Sequence, residues 1–254
     1  MIVKCFGTAG YHPSEDRHTS CYYLPDASLL LDAGTGIFRL TEELLKNPRE
    51  SIDILLSHAH LDHVVGLTFL LDTMAVTKLK NVRVIGEATK LQAIREHVYD
   101  PLIFPVPPNL EFVSLPPKKQ RFKLGSANAF LTDWIPLEHP GGSMGYVIEV
   151  GSRRLAYITD TTARPNSPYL AGIYNLDLLI HECNFGDAHT ELAEMTGHSW
   201  LSAVTGIVRR CRPAKTLLVH HNPVSKLLAD ELALNAEQIA LNMQLAHDGD
   251  AVEF

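Results

Sequence analysis

The sequence has few cysteines and no long apolar run, and both scarcities limit what the protein can be. Cys5, Cys21, Cys183 and Cys211 are scattered through 254 residues without a Cys-x-x-Cys pair. This spacing predicts buried free thiols and indicates neither a disulfide framework nor a structural zinc ribbon. The apolar stretches are far too short to span a bilayer, and the first residues are typical of a strand, not of a targeting segment. We therefore expect a cytoplasmic protein that does not contact membranes.

Basic residues are scarce as well. The chain has 22 Lys and Arg against 29 Asp and Glu, a formal net charge of −7. Contacts from Lys and Arg to phosphate supply most of the sequence-independent affinity for nucleic acid. The notable basic clusters, at 118–123 and 153–154, resemble ordinary solvated faces. Nucleic acid is therefore not the expected main partner, although an RNA role stays open as the lesser alternative.

No linker, charge block, low-complexity tract or short repeat interrupts the chain. Runs typical of strands alternate with runs typical of helices throughout, and 46% of the residues are hydrophobic. A chain of this length and composition can bury a large core without splitting. The sequence therefore predicts an α/β protein with a single domain over residues 1–254.

One segment, Ser57–His63, concentrates potential metal ligands. His58, His60, Asp62 and His63 directly follow the strand-like run at 52–56. A strand that stops at Leu56 delivers the first two imidazoles from a tight loop to the same side. A helix predicted over 64–71 places the other two ligands in its first turn, where a carboxylate suits the positive end of the helix dipole. Imidazole together with carboxylate is a donor set typical of zinc.

Three later polar residues each end an apolar strand-like run. His139 follows the run 129–137, Asp160 follows 154–159, and His220 follows 216–219. A metal centre needs acceptors from several strand ends that the fold brings together. These residues are therefore candidates for further ligands.

The order of these residues resembles the metallo-β-lactamase superfamily, whose pattern is His-x-His-x-Asp-His followed by a lone His, a lone Asp and a final His. Flanking segments resemble its phosphodiesterase branch, which contains ribonuclease Z and the phosphoribosyl cyclic phosphate phosphodiesterases. The segments that carry this likeness are Phe6–Gly10, Arg17–Ser20, Leu31–Gly36, His181–Phe185 and Gly197–Ser199. The resemblance covers nearly the whole chain and implies an αββα four-layer sandwich, in which two mixed sheets pack together with helices outside.

The resemblance also implies a dinuclear metal site. In it, one metal is held by His58, His60 and His139, the other by Asp62, His63 and His220, with Asp160 bridging them. Two cations roughly 3.5–4 Å apart lower the pKa of a shared water, and the resulting hydroxide attacks phosphorus in line. We expect zinc, although nitrogen and oxygen ligands without thiolate also suit manganese, nickel or iron.

His198 lies outside the predicted ligand set, in the turn before a helix predicted over 201–209. In the resembling branch this histidine contacts the substrate phosphate and helps protonate the leaving oxygen. Glu182 is a candidate to orient His198 and bind substrate, with an exposed strand-end Glu as the alternative. Asp62 is expected to orient the attacking hydroxide or accept its proton. The other histidines receive no role, and those at His12, His18, His97, His189 and His247 are interpreted as ordinary surface or loop residues, with the mouth of the site as an alternative position for His18.

The resemblance predicts a metal-dependent phosphoric diester hydrolase. Site charge and the short interval between His139 and Asp160 favour a small or cyclic phosphodiester as its substrate. Two divalent cations offset by Asp62, Asp160 and hydroxide leave net positive charge, which suits an anion better than a neutral lactone. Ribonuclease Z enzymes typically insert a tRNA-gripping arm between the third His and the bridging Asp. Here only twenty residues separate His139 from Asp160, and two strands joined at Gly151–Ser152 occupy them.

Several alternatives stay open. One is a ribonuclease Z-like RNA endonuclease, a second is a lactonase or thioesterase on the same fold, and a third is a non-hydrolytic iron metalloprotein. The proline-stiffened apolar segment at 99–108 is interpreted as a pocket wall or a dimer contact. A homodimer is expected only because dimers are common in the resembling branch.

Overall fold

A computed structural model of the protein describes residues 1–125 and 128–254. The chain forms two compact units, each built on a seven-stranded sheet. The first comprises Met1–Lys118, Leu124–Ala127 and Asp248–Glu253, and the second comprises Lys119–Lys123, Asn128–His247 and Phe254. The single domain expected from composition stays a prediction.

The first sheet is mixed, with strand order β14-β1-β2-β3-β4-β5-β6. Strands β3 to β6 run parallel, whereas β14, β1, β2 and β3 pair antiparallel. The strands are β1 Ile2–Gly7, β2 Cys21–Leu24, β3 Leu29–Leu31, β4 Ser51–Leu55, β5 Asn81–Gly86, β6 Glu111–Ser114 and β14 Ala251–Glu253.

Helices cover one face of this sheet. Leu40 and Leu44 share a buried cluster with Ile54 and Val84 of the central strands. Neighbouring residues on the opposite face, such as Leu31, are also fully buried. Burial on both faces explains why these strands are continuous apolar runs without polar alternation. The helices are α1 Arg39–Lys46, α2 Leu61–Val64, α3 Leu70–Val76 and α4 Ala88–Ala93, with 3₁₀ turns at Pro25–Ala27, Thr35–Phe38 and Val65–Phe69 and a π turn at Ile94–Val98.

The single helix predicted over 64–71 is wrong, because the chain there forms three short helical pieces between Leu61 and Val76. The backbone carbonyl of His63 accepts a hydrogen bond from Ala33, and the amide of Gly66 donates to the carbonyl of Ala33. In a continuous helix, both groups would instead form backbone hydrogen bonds between residues i and i−4. The segment after β3 therefore interrupts the helix and fixes its first turn.

The second sheet is also mixed, with strand order β13-β12-β11-β10-β9-β8-β7. Val204 and Ile207 of helix 201–211 share a buried cluster with Ala156, Leu179 and Leu218 of the sheet. The elements are β7 Phe122–Leu124, β8 Ala129–Leu137, β9 Ser143–Val150, β10 Arg153–Ile158, β11 Leu178–Glu182, β12 Thr216–Val219, β13 Met243–Leu245, α5 Thr190–Thr196, α6 Leu201–Cys211 and α7 Ala236–Ala240, with 3₁₀ turns at Pro168–Ala171 and Asp187–His189.

The pairing of this sheet brings four strand ends to one edge. Strands β10, β11 and β12 are parallel neighbours. Strand β9 is antiparallel to both β10 and β8, so β8 runs in the same direction as β10. The carboxyl ends of β8, β10, β11 and β12 therefore lie at the same edge of the sheet.

Most local predictions in this region are confirmed. Strands β8 and β12 have the predicted bounds, and β9 and β10 form a hairpin in which Gly151 adopts a positive φ of 61°. All four cysteines are free thiols, three of them buried and Cys211 half-buried. Within 1–125 and 128–254, the helices are too short or too polar to cross a bilayer.

Candidate metal centre

The first unit presents the four ligand candidates of the His-rich segment together. His58 and His60 follow β4, and Asp62 and His63 lie in α2. The ring centroid of His58 lies 4.4 Å from that of His60 and 4.3 Å from that of His63. His58 and His63 are buried, whereas His60 is exposed. The structure therefore brings the ligand candidates of this segment together, and their role as metal ligands stays a prediction.

A buried carboxylate behind the cluster orients two of these imidazoles. Asp32, which ends β3, accepts hydrogen bonds from the Ser57 amide at 2.7 Å and the Ser57 hydroxyl at 2.8 Å. Because the hydroxyl proton of Ser57 points to Asp32, Ser57 Oγ accepts a hydrogen bond from His58 Nδ1 at 2.9 Å. His63 Nδ1 donates to Asp32 Oδ2 at 2.7 Å. Both imidazoles therefore carry their proton on Nδ1 and present an unprotonated Nε2, the arrangement typical of metal-ligating histidines.

Sequence reasoning missed the role of Asp32. It is fully buried and adopts a left-handed backbone conformation with φ of 56°. The signal was present, because Asp32 ends an apolar strand in the same way as Asp160. The residue two positions later, Gly34, has to be a glycine, because a Cβ there would come within 2.2 Å of the Asp62 carbonyl oxygen.

The Asp62 carboxylate is held from the β1–β2 loop. Its Oδ2 accepts a hydrogen bond from the Tyr11 amide at 2.7 Å and lies 3.3 Å from His63 Nε2. The side chain of Asp62 is 9% exposed. The carboxylate is thus fixed beside the imidazole with which it was predicted to share a metal.

In the second unit, Asp160 lies between two of the predicted ligands. Its Oδ2 is 3.5 Å from His139 Nε2, and its Oδ1 is 3.3 Å from His220 Nε2. Each carboxylate oxygen therefore faces a different imidazole. All three side chains are almost completely buried, as the exposed fractions of 3%, 2% and 1% for His139, Asp160 and His220 show.

The second unit also orients the His139 imidazole from behind. His139 Nδ1 donates to the Gly197 carbonyl at 3.0 Å, which leaves Nε2 as the ligating atom. Burial lowers the pKa of His139, against the opposing effect of Asp160, so this imidazole is neutral near pH 7. The side-chain amide of Asn184 donates to the His220 backbone carbonyl at 2.9 Å. Neutral imidazole is the form that binds a metal.

Asp160 and His220 both adopt positive φ, of 47° and 58°. Left-handed conformations in residues other than glycine are costly, and they concentrate at functional sites. Together with Asp32, three of the polar residues that end strands in this protein have this backbone conformation.

Glu182 is fully buried at the end of β11, so the alternative of an exposed strand-end glutamate is wrong. Its Oε1 accepts from the Thr161 amide and lies 3.1 Å from His198 Nδ1, and its Oε2 accepts from the Ser199 amide. The predicted orientation of His198 by Glu182 is therefore present. A substrate contact by either residue stays a prediction.

His198 lies close to the predicted ligands of its unit. Its ring centroid is 5.0 Å from that of His139 and 5.1 Å from that of His220, and its side chain is 15% exposed. Among residues of the second unit, Asp160, His198 and His220 each place one ligand-type atom within 4.8 Å of the others. This side chain is thus more accessible than the ligands beside it, which suits a group that contacts substrate.

The donors present fit divalent metal ions. Both units supply imidazole nitrogens whose Nδ1 atoms are held from behind, together with a carboxylate whose oxygens lie among Nε2 atoms. Nitrogen and oxygen donors without thiolate are the set that zinc, manganese, nickel and iron accept. Fold and donors together define an α/β protein whose two units present imidazole and carboxylate groups suited to divalent metal ions.

Comparison with known proteins gives the family. The Beta-lactamase superfamily domain matches residues 27–221, so the chain belongs to this superfamily. The ribonuclease Z of Gemmatimonas aurantiaca is 24% identical over an alignment of 313 residues that covers 100% of this chain and 96% of the relative. The predicted superfamily is confirmed, and the name of this relative is that of the branch whose motifs the chain resembles.

Solved structures confirm the predicted fold class. The metallo-β-lactamase fold protein YhfI from Bacillus subtilis has a TM-score of 0.76 and 21% identity, and the similarity covers 99% of both chains. Zn²⁺-bound PqqB from Methylobacterium extorquens has a TM-score of 0.73 and 20% identity, with 100% of both chains covered. The chain therefore has the αββα class of fold that its motifs imply.

Proposed function

We propose that the protein is a dinuclear metal-dependent hydrolase of small or cyclic phosphodiesters. The observation that carries the proposal is the Asp160 carboxylate, whose two oxygens each face a different imidazole. A carboxylate in this position suits two cations better than one. The ribonuclease Z names of the curated relatives support a phosphoric diester hydrolase as the reaction class.

In the proposed site, the ligands of both units act together as the family resemblance implies. His58, His60 and His139 would hold one ion, Asp62, His63 and His220 the other, and Asp160 both. When bound, the ions would lower the pKa of a water and polarise the phosphoryl oxygens. Zinc is the proposed metal, and the zinc in the PqqB structure is compatible with that choice.

The protein's own residues supply the remaining steps. Asp62, fixed by the Tyr11 amide, would orient the attacking water and accept its proton. His198 would donate a proton to the leaving oxygen from Nε2, because its Nδ1 is held by the Glu182 carboxylate. A buried carboxylate behind an imidazole stabilises the protonated ring and fixes its direction, as general acid catalysis requires.

Two observations favour a small substrate over a folded RNA. The segment from His139 to Asp160 is filled by the β9–β10 hairpin, which leaves no room for an inserted arm. The alignment with the Gemmatimonas aurantiaca ribonuclease Z spans 313 positions, more than the 254 residues of this chain, so that relative carries segments that this chain lacks.

The basic clusters of the second unit are also engaged by acids. Lys119 pairs with Asp133 at 2.6 Å, and Arg153 pairs with Asp177 at 2.5 Å. A basic residue paired in this way gains less from a phosphate than a free one. The ribonuclease Z-like alternative keeps the support of the relatives' names, so it is included in the test.

The proposal is tested by hydrolysis of bis-p-nitrophenyl phosphate by protein reconstituted with zinc or manganese. We expect turnover that is lost in His60→Ala, an exposed ligand whose removal leaves the core intact, and kept in His97→Ala, an exposed histidine elsewhere. A homoserine lactone and a precursor tRNA are assayed alongside. Lactone turnover alone would overturn the phosphodiesterase assignment, and cleavage of precursor tRNA with no small-substrate turnover would favour the ribonuclease.

A further inference from the structure

The β1–β2 loop places an exposed aromatic residue directly beside a proposed catalytic group. Tyr11 is 81% exposed, although its own backbone amide makes the 2.7 Å hydrogen bond to Asp62 Oδ2. The side chain therefore branches from the Cα that is bonded to the nitrogen that fixes the Asp62 carboxylate. Exposed tyrosine rings are favoured where a protein meets a ligand, because they offer a large rigid surface at low entropic cost.

The loop that carries Tyr11 is firmly tied down. Ala9 and His18 form a backbone hydrogen bond of 2.8 Å across it, and Arg17 donates to the Thr8 hydroxyl at 2.6 Å. The carboxylate of Asp248 accepts from the Thr8 amide and hydroxyl and from the His18 amide. The position of Tyr11 is therefore set by hydrogen bonds on both sides of the loop.

The conformation of Tyr11 is itself unusual. Its φ is 60°, a left-handed value that a bulky aromatic residue adopts only when its surroundings impose it. The neighbouring His12 ring lies 5.3 Å from the Tyr11 ring at an interplanar angle of 62°, an edge-on contact. His12 Nδ1 is 2.8 Å from the Pro13 carbonyl oxygen, which limits rotation of that ring. The pair thus presents an exposed Tyr11 ring with the His12 ring packed against it.

We propose that Tyr11, braced by His12, is a platform on which the planar substituent of a phosphodiester substrate stacks, with a nucleobase as the ligand class. The proposal rests on the proposed function, since it places the phosphate of the same substrate next to Asp62. Stacking on an aromatic side chain accepts any base, because every base has a π-face. The platform therefore selects for nucleoside phosphodiesters over alkyl phosphodiesters, without selecting a particular base.

The test compares two substrates with the same leaving group, thymidine 5′-p-nitrophenyl phosphate and methyl p-nitrophenyl phosphate, on the zinc-loaded protein. We expect the ratio of their kcat/KM values to fall about tenfold in Tyr11→Ala. This variant keeps the backbone amide that holds Asp62. Tyr11→Phe keeps the ring and should keep the ratio within about twofold, as should Tyr174→Ala, which removes another exposed tyrosine.

A binding measurement separates failure of this inference from failure of the proposed function. Calorimetry on the same proteins gives the Kd of thymidine 5′-monophosphate and of inorganic phosphate. We expect Tyr11→Ala to weaken the first about tenfold relative to the second. An unchanged kcat/KM ratio with normal turnover, or an unchanged Kd ratio, overturns the platform. Absent turnover of both substrates with a shifted Kd ratio overturns the hydrolase and leaves the platform standing.

Discussion

His63 Nδ1 lies 2.7 Å from Oδ2 of Asp32, and both side chains are completely buried. The bond joins the end of β3 to the first turn of α2, thirty-one positions apart in the chain. It determines which nitrogen of His63 carries the proton and therefore which nitrogen faces the proposed metal. The same carboxylate reaches His58 through Ser57.

Asp32→Asn is expected to fold and to lose metal affinity by about 10–100-fold. Asparagine has nearly the same volume and tolerates positive φ, but its amide donates to His63 Nδ1 and so forces the proton onto Nε2. Chelator competition with zinc measures the affinity. Asp53→Asn is the matched control, because Asp53 is a buried carboxylate paired with Arg83 outside the site. Equal zinc affinity in Asp32→Asn and the wild type would refute this orientation role.

Asp160→Ala is expected to remove metal occupancy and hydrolysis together. The substitution deletes both oxygens that face His139 and His220. Elemental analysis of the purified variant, alongside the phosphodiesterase assay, checks both effects. Asp177→Asn, at an exposed ion pair, is the control. Full activity in a verified metal-free Asp160→Ala protein would end the dinuclear mechanism.

His198→Ala is expected to reduce kcat in proportion to how much the leaving group needs a proton. For a cyclic nucleotide with an alkoxide leaving group, we expect a loss of about 10²–10⁴-fold, and for p-nitrophenyl esters a much smaller loss. Metal content should be unchanged. His189→Ala is the control, since His189 contacts the Leu228 carbonyl away from the proposed ligands. Equal losses on both substrates would argue against a general acid.

Glu182→Gln should reproduce part of the His198→Ala effect and also destabilise the fold. The carboxylate accepts backbone hydrogen bonds from Thr161 and Ser199, and glutamine can satisfy only part of this set. Loss of one such buried bond costs about 1–3 kcal/mol. Urea unfolding of the variant measures that cost separately from the kinetic effect. A variant with wild-type stability would show that the buried carboxylate is not needed for these contacts.

Lowering the pH should destabilise the protein partly through His181. Burial lowers the pKa of this histidine, and its Nε2 accepts from the Tyr169 hydroxyl because Nδ1 faces the Glu182 carbonyl. Below the ordinary value of about 6.5 the unfolded chain binds the proton first, so this contribution to stability is complete above that pH and is lost as the pH falls. Urea unfolding of chelator-treated protein between pH 7.5 and 5.5 should show a shallower decline for His181→Gln. A parallel decline in both proteins would exclude His181 as a source.

The 99–108 segment provides a test of the pocket-wall or dimer interpretation. Leu102 is 96% exposed, Ile103 70% and Val106 63%, whereas Phe104 packs 5.8 Å from Tyr99. Replacing the three exposed residues with serine keeps that packing. We expect either a changed KM or weaker self-association by sedimentation. If neither changes, the segment is merely structural.

The sequence determined the ligand candidates and the strands that present them. A strand followed by two alternating histidines, and single polar residues after β8, β10 and β12, are local patterns, so they were visible without the fold. The bounds of these strands followed from apolar runs that end at a polar residue. Family motifs then supplied the order of the ligands.

Tertiary structure alone decided the parts that depend on contacts between distant segments. The broken helix after His60 arises because Ala33 uses the carbonyl of His63, and Asp32 gained its role from a bond to a residue far along the chain. Glu182 is buried, and amides from two loops satisfy its carboxylate. Hydrophobic pattern and spacing describe what one segment prefers, whereas these features depend on which hydrogen-bonding groups of another segment the fold brings within about 3 Å.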